Sequence, residues 1–69
     1  MLLSAIGKKA DVIASVKERV DADPDDEMVA LVATIALKVL EPIEEAANVR
    51  VAAVNVLDGA FHMSVEKLA

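Results

Sequence analysis

"VNVLDGAFHMSV", residues Val54 to Val65, decides the fold of this chain because it satisfies two incompatible periodicities. Read as a hairpin, Asp58-Gly59 suits a type I′ turn, whose two central residues need positive φ. The pairing would then gather Val56, Phe61, Val54, Met63, Ala52 and Val65 on one face and Asn55, His62, Ser64 and Glu66 on the other. Read as a helix, the stretch belongs to a longer pattern. Ile43, Ala47, Arg50, Val54, Leu57, Phe61, Val65 and Leu68 step by three or four, and Glu41, Glu44, Asn48, Asn55, Gly59, His62 and Glu66 hold the opposite stripe. A hairpin has no reason to keep helical register across its own turn. The phase therefore favours a helix, with Gly59 as a kink or break, and the abundance of valine throughout the chain decides little.

Working back from this stretch, "LEPIEEAAN" begins an element. Pro42 pushes Glu41 out of helical geometry, and Glu44 and Glu45 suit a first helical turn. Upstream, Pro24 to Glu41 reads as a helix whose polar residues Glu27, Thr34, Lys38 and Glu41 form one narrow stripe, interrupted by Leu31. Met28, Val32, Ile35 and Val39 leave most of its circumference apolar, so it must be covered on nearly all sides. From Leu3, the positions Leu3, Ile6, Ala10, Ile13 and Val20 recur at helical steps opposite Ser4, Lys8, Asp11, Ser15, Glu18 and Arg19. Gly7 would cost that helix roughly 1 kcal/mol against alanine. The expected fold is all-α, a three-helix antiparallel bundle at about 2–20, 24–41 and 42–68, completed by homo-oligomerisation. The alternative is α+β, two helices followed by a C-terminal β-hairpin at about 49–57 and 60–67.

The acidic cluster Asp21, Asp23, Asp25, Asp26 and Glu27 is either a cation loop or a helix start. A calcium-binding helix–loop–helix needs glycine at its sixth position and a bidentate glutamate at its twelfth. Asp26 and Val32 stand there. The helix-start reading fits better, with Asp23 as N-cap, Pro24 at the first helical position and the following acids at the positive end of the helix dipole.

With 69 residues the chain is one domain, 1–69, near the lower limit for a self-sufficient core. There is no cysteine, so disulfides, thiolate zinc sites and thiol redox chemistry are excluded. A net charge of −5 argues against nucleic acid or an anionic membrane surface as partner. The residues are 57% hydrophobic with Phe61 the lone aromatic, and a monomer this small and apolar would expose much of that surface. The run Met28 to Leu40 is too short to span a bilayer, and "MLLSAIGKKA" lacks the order of a signal peptide, so a cytoplasmic location is expected.

Chemistry-bearing residues are few. In the helical reading Asp58, His62 and Glu66 share one polar face, a row that could bind a divalent ion or transfer a proton, but no zinc spacing is present. Glu41, Glu44 and Glu45 lack the Glu-x-x-His pairing of di-iron bundles. Ser4, Ser15, Ser64 and Thr34 have no sequence cue linking them to a base, and Gly7 and Gly59 form no phosphate loop. No catalytic, cofactor-binding or metal residue is assigned, and no cofactor is expected. Lys17 and Arg50 interrupt apolar faces; their stems can snorkel, or Arg50 can pair with an acid of a second chain. The expected interface comprises Met28, Leu31, Val32, Ile35, Val39, Arg50, Val54, Leu57 and Phe61. These residues imply a non-enzymatic protein that works through self-assembly, most simply as a homodimer. The alternative is a small regulatory or inhibitor protein, of the sort phages encode, that binds another protein through an apolar face.

Overall fold

The computed structural model describes the backbone of residues 3–57 and 60–68 and the side chains of residues 3–53 and 62–68. The elements run β1 (Leu3–Lys8), α1 (Lys9–Ala22), α2 (Glu27–Leu40), β2 (Asn48–Leu57) and β3 (Ala60–Leu68). An antiparallel sheet in the order β1-β2-β3 forms one layer, and the α1–α2 hairpin packs on one of its faces. The architecture is α+β. The three-helix bundle expected from the helical phase is incorrect, and the hairpin alternative describes the C-terminal third.

The helical phase from Ile43 to Leu68 fails because its rival is more than an isolated two-stranded ribbon, which would be marginal in water. Leu3 to Lys8, which sequence spacing assigns to the first turns of a helix, pair with Ala53 to Asn48 and supply a third strand. The inward row Leu3, Ala5 and Gly7 alternates with exposed Ser4, Ile6 and Lys8. Gly7, costly in a helix, instead adopts φ +153° at the end of the strand, a backbone region closed to most side chains. Lys8 then caps α1 with extended backbone, and the helix begins at Lys9.

Register within the hairpin also differs from the simple turn-centred pairing. Val56 faces Phe61 and Asn55 faces His62, but the register shifts between Ala53 and Asn55, so that Ala53 faces Met63 and Val51 faces Val65. Val54 is the extra residue of a bulge. A slip by one residue exchanges the faces of a strand, which places Val49, Val51 and Ala53 against the helices in place of Ala52. Asp58 and Gly59 lie outside the described residues.

The core sits between the layers. Val12 and Val16 of α1, Ala33, Ala36 and Leu40 of α2, and Val49 and Val51 of β2 form one buried cluster, with Ala5, Met63 and Val65 packed against it. Leu3, Val32 and Ala53 form a second cluster bounded by Met28 and Met63. Each fully buried valine or leucine contributes roughly 1.5–3 kcal/mol relative to exposure. The small side chains let the two layers approach closely.

The helix boundary at the acidic cluster also needs correction. α2 starts three residues later than Pro24, with Asp26 as N-cap: its carboxylate accepts from the N–H groups of Met28 (2.9 Å) and Val29 (3.2 Å). Asp23 serves the end of α1, where its N–H donates to the carbonyls of Arg19 and Val20 and its carboxylate meets the Arg19 guanidinium at 3.0 Å. Pro24 and Asp25 form the turn between the helices. The cluster is punctuation, as the missing calcium ligands imply, but it punctuates two helices.

Candidate interaction surface

Three polar arrangements are candidates for chemistry, and none converges. His62 and Glu66 lie on a strand, where four residues span about 13 Å, so they are not one helical turn apart. Asp58, the third member of that row, is outside the described residues. Glu66 is engaged by Arg50 at 2.5 Å, and Glu44 by Lys67 at 3.4 Å. Among the described residues, no group of three or more histidine and carboxylate side chains could hold a metal ion.

Lys9 is the third candidate, a charged side chain only 7% exposed. Its ammonium donates to the carbonyls of Glu41 (3.0 Å) and Ile43 (2.7 Å), and the Glu45 carboxylate stands 3.6 Å away. Glu41 is the C-cap of α2, where carbonyls lack intrahelical partners and a positive charge is favoured. The Lys9 N–H donates in turn to Ala47 O at 3.0 Å. Lys9 therefore ties the start of α1 to the connection between α2 and β2. Its donors are committed to the fold.

What remains is surface. A three-stranded sheet covered on one face leaves the other to water, and here that face is mostly polar: Ser4, Lys8, Asn48, Arg50, Ser64 and Glu66. Its apolar members are Ile6, 70% exposed, and the partly exposed Ala52 and Leu68. Ile6 lies in a shallow groove with Ser4, Arg50 and Ala52. Among the described residues no strand pairs with the outer edge of β1 or of β3, so each directs alternate backbone N–H and C=O groups to solvent.

The helix flanks above these two edges differ. On the β1 side, α1 presents Ser15, Glu18, Arg19 and Ala22 over Leu3 and Ser4. On the β3 side, α2 presents Leu31 (47% exposed) and Val39 (43%), with partly exposed Met28 and Ile35 on the same flank. α1 covers the opposite flank of α2, where Lys17 and Val20 meet Ala33 and Leu37. α1 contacts β1 while α2 contacts β3, and Met28 and Met63 border the same core cluster, which places the apolar flank beside β3. One side of the molecule thus combines an outer strand edge with an apolar helix flank.

The residues expected at an interface are distributed unevenly by the fold. Met28, Leu31, Ile35 and Val39 share the exposed flank. Val32 is fully buried in the chain's own core, on the sheet-facing border of that flank next to Met28. Arg50 lies on the open sheet face and pairs with Glu66 of its own chain. Val54, Leu57 and Phe61 have side chains outside the described residues. Lys17 is exposed at the α1–α2 groove. Sequence reasoning offered β3 only within the alternative hairpin, at about 60–67, and missed β1; the short alternation Leu3, Ala5, Gly7 was the available signal for β1, and exposed Ile6 obscured it.

Among the described residues, no helix is long and apolar enough to cross a membrane. Comparison with protein families, characterised proteins and solved structures finds no match to this chain.

Proposed function

We propose that this protein is a non-enzymatic cytoplasmic protein that acts by self-association, most simply as a homodimer, and through protein–protein contact. The observation that supports this reading is the continuity of the exposed flank of α2 with the outer edge of β3. Leu31 and Val39 are about half exposed on a helix that the sheet covers on one side and α1 on another, with Glu27, Thr34 and Lys38 on its outward face. Burying them removes apolar area from water, and pairing the strand satisfies backbone groups at the same time.

Sedimentation equilibrium from low micromolar to millimolar protein tests the reading. The expected result is a mass rising from 7.3 kDa toward twice that value as concentration increases. A folded protein that remains monomeric throughout the range overturns self-association and moves the reading to a foreign partner.

A further inference from the structure

We infer that a second copy of this chain docks edge to edge on β3, giving a continuous six-stranded sheet with the two α2 helices packed across a two-fold axis. This deepens the self-association reading and rests on it. The occupant is fixed by self-complementarity.

Consider β3 meeting itself in antiparallel orientation. For the two helical layers to lie on the same side, the two-fold axis must stand perpendicular to the sheet, and each residue must face one whose side chain points the same way. Registers centred on a residue meet that condition; registers centred between residues do not. Ser64 is the middle residue of Ala60–Leu68, so centring on it pairs the strand along its entire length. On the open face this register sets His62 opposite Glu66 of the second copy and Ser64 opposite its own mate. On the helical face it sets Met63 opposite Val65. Centring on Glu66 instead would oppose two carboxylates, an unfavourable cross-strand pair. The Ser64 register lets Glu66 accept from both Arg50 of its own chain and His62 of the other, and Lys67 is already held by Glu44.

The helical layer agrees. α2 touches β3 directly; Leu40 shares a cluster with Val49 and Val51 of β2, Met28 borders one with Met63 of β3, and Val32 reaches across to Leu3 of β1. Strands are about 4.8 Å apart, so helices seated over the β2–β3 gap on either side of the axis lie about 10 Å apart. That is close to the roughly 8–10 Å at which helices pack through their side chains. Leu31, Ile35 and Val39, spaced by four, form the ridge that would fill the gap. The joined surface, about 30 Å of strand under two layers some 20 Å thick, is of the order of 600 Å² in flat projection. Surface relief brings this near the roughly 800 Å² per partner of a standard stable interface. The β1 side lacks these features: its strand has six residues, ends at Gly7 and Lys8, and lies under the polar flank of α1.

The chain has no cysteine, so single-cysteine variants report the seam directly. Directly opposed residues of antiparallel strands have Cα atoms about 4.5–5.5 Å apart, within disulfide reach. In a glutathione redox buffer, Ser64→Cys should form a covalent dimer rapidly and nearly completely, whereas Ser4→Cys on the β1 edge should not. Leu31→Lys, at a position already half exposed and so compatible with the monomer fold, should raise the dimer Kd by about 100-fold or more, because the charge enters the apolar seam twice. Circular dichroism of each variant checks folding. If wild type associates but the Ser64→Cys variant cross-links no faster than the Ser4→Cys variant, or Leu31→Lys leaves Kd within about a factor of two, the seam is wrong while self-association stands. A wild type that stays monomeric at millimolar concentration removes both.

Discussion

Lys9→Met isolates the chemistry of the buried ammonium from the packing of its stem, because methionine nearly matches lysine in length and lacks the charged head. In the native protein that head donates to two carbonyls, Glu41 O at 3.0 Å and Ile43 O at 2.7 Å. Hydrogen bonds involving a charged group contribute roughly 1.5–3 kcal/mol each, so their gross loss is about 3–6 kcal/mol. Two effects offset part of this. Methionine escapes the desolvation cost of a buried ammonium, and both carbonyls sit in only part-buried bonds, so they are not fully stripped of partners when the ammonium is lost. The expected net loss is about 2–3 kcal/mol, roughly half the margin a chain of this size commonly has. Urea denaturation followed by circular dichroism, at one fixed protein concentration because the proposed association would add to apparent stability, measures it. Glu45→Gln is the control. Its carboxylate sits 3.6 Å from the ammonium with its side chain 80% exposed, and an ion pair of that kind contributes no more than about 1 kcal/mol. If Lys9→Met unfolds at the wild-type midpoint, or if Glu45→Gln loses as much as Lys9→Met, the carbonyl contacts do not hold the α2–β2 connection as argued.

Asp26→Ala removes the cap of α2 and should cost about 1 kcal/mol by thermal or urea melting, whereas Asp23→Ala, which breaks only an exposed pair with Arg19, should stay within about 0.5 kcal/mol. The reverse order would return the helix start to Asp23. Gly7→Ala should cost more than about 1 kcal/mol, because a Cβ there meets only an ordinary contact 3.5 Å away at Asp11 and the penalty is entirely that of φ +153°. An unchanged melt would mean that the strand end relaxes freely. Arg50→Met should lower stability by less than about 1 kcal/mol and leave the sedimentation mass unchanged, since its partner Glu66 belongs to the same chain and both side chains are half exposed. A shift in mass would reinstate an interchain role for Arg50.

Which parts of this fold could be read in advance follows from how far each signal reaches along the chain. α2 was legible because the nearly uninterrupted apolar run Met28 to Leu40 and an acidic start leave few alternatives. The hairpin was legible as an alternative because Asp58-Gly59 and the alternation His62, Met63, Ser64, Val65 are local. What was lost depended on a non-local partner. β1 contributes six residues, and its only apolar side chain of full size facing the core is Leu3; Ala5 and Gly7 complete the row, while Ile6 points to water. A helical step from Leu3 to Ile6 was the natural reading of that spacing, and it removed the strand that stabilises the hairpin. The bulge at Val54 was beyond sequence reasoning for a related reason. It is required by the match of Val49 and Val51 to Gly7 and Ala5 across β1, a constraint visible only once three strands are aligned.

The same substitution of sheet for helix changes the reason this chain should need a companion. In a bundle, α2 would have met two curved neighbours and left much of its girth bare, so Val32 would have faced outward beside Leu31 and Val39. A sheet is broader than a helix. It covers Val32, Ala36 and Leu40 in one contact, and α1 takes Ala33 and Leu37, so that the large apolar residues left uncovered shrink to the single flank of Met28, Leu31, Ile35 and Val39. Apolar demand from the helix has therefore fallen, but the sheet brings a demand of its own, the unpaired edge. An apolar flank can be tolerated on a monomer and a short edge can be left solvated; their coincidence on the β3 side, with the polar flank of α1 over β1, is what would concentrate the energy of the proposed association in one place. A surface built from two independent terms can be tested by separating them. Leu31→Lys acts on the flank and leaves the edge untouched, and Ser64→Pro would act on the backbone edge with the flank intact, so association that survives both changes would have to use some other face of the molecule.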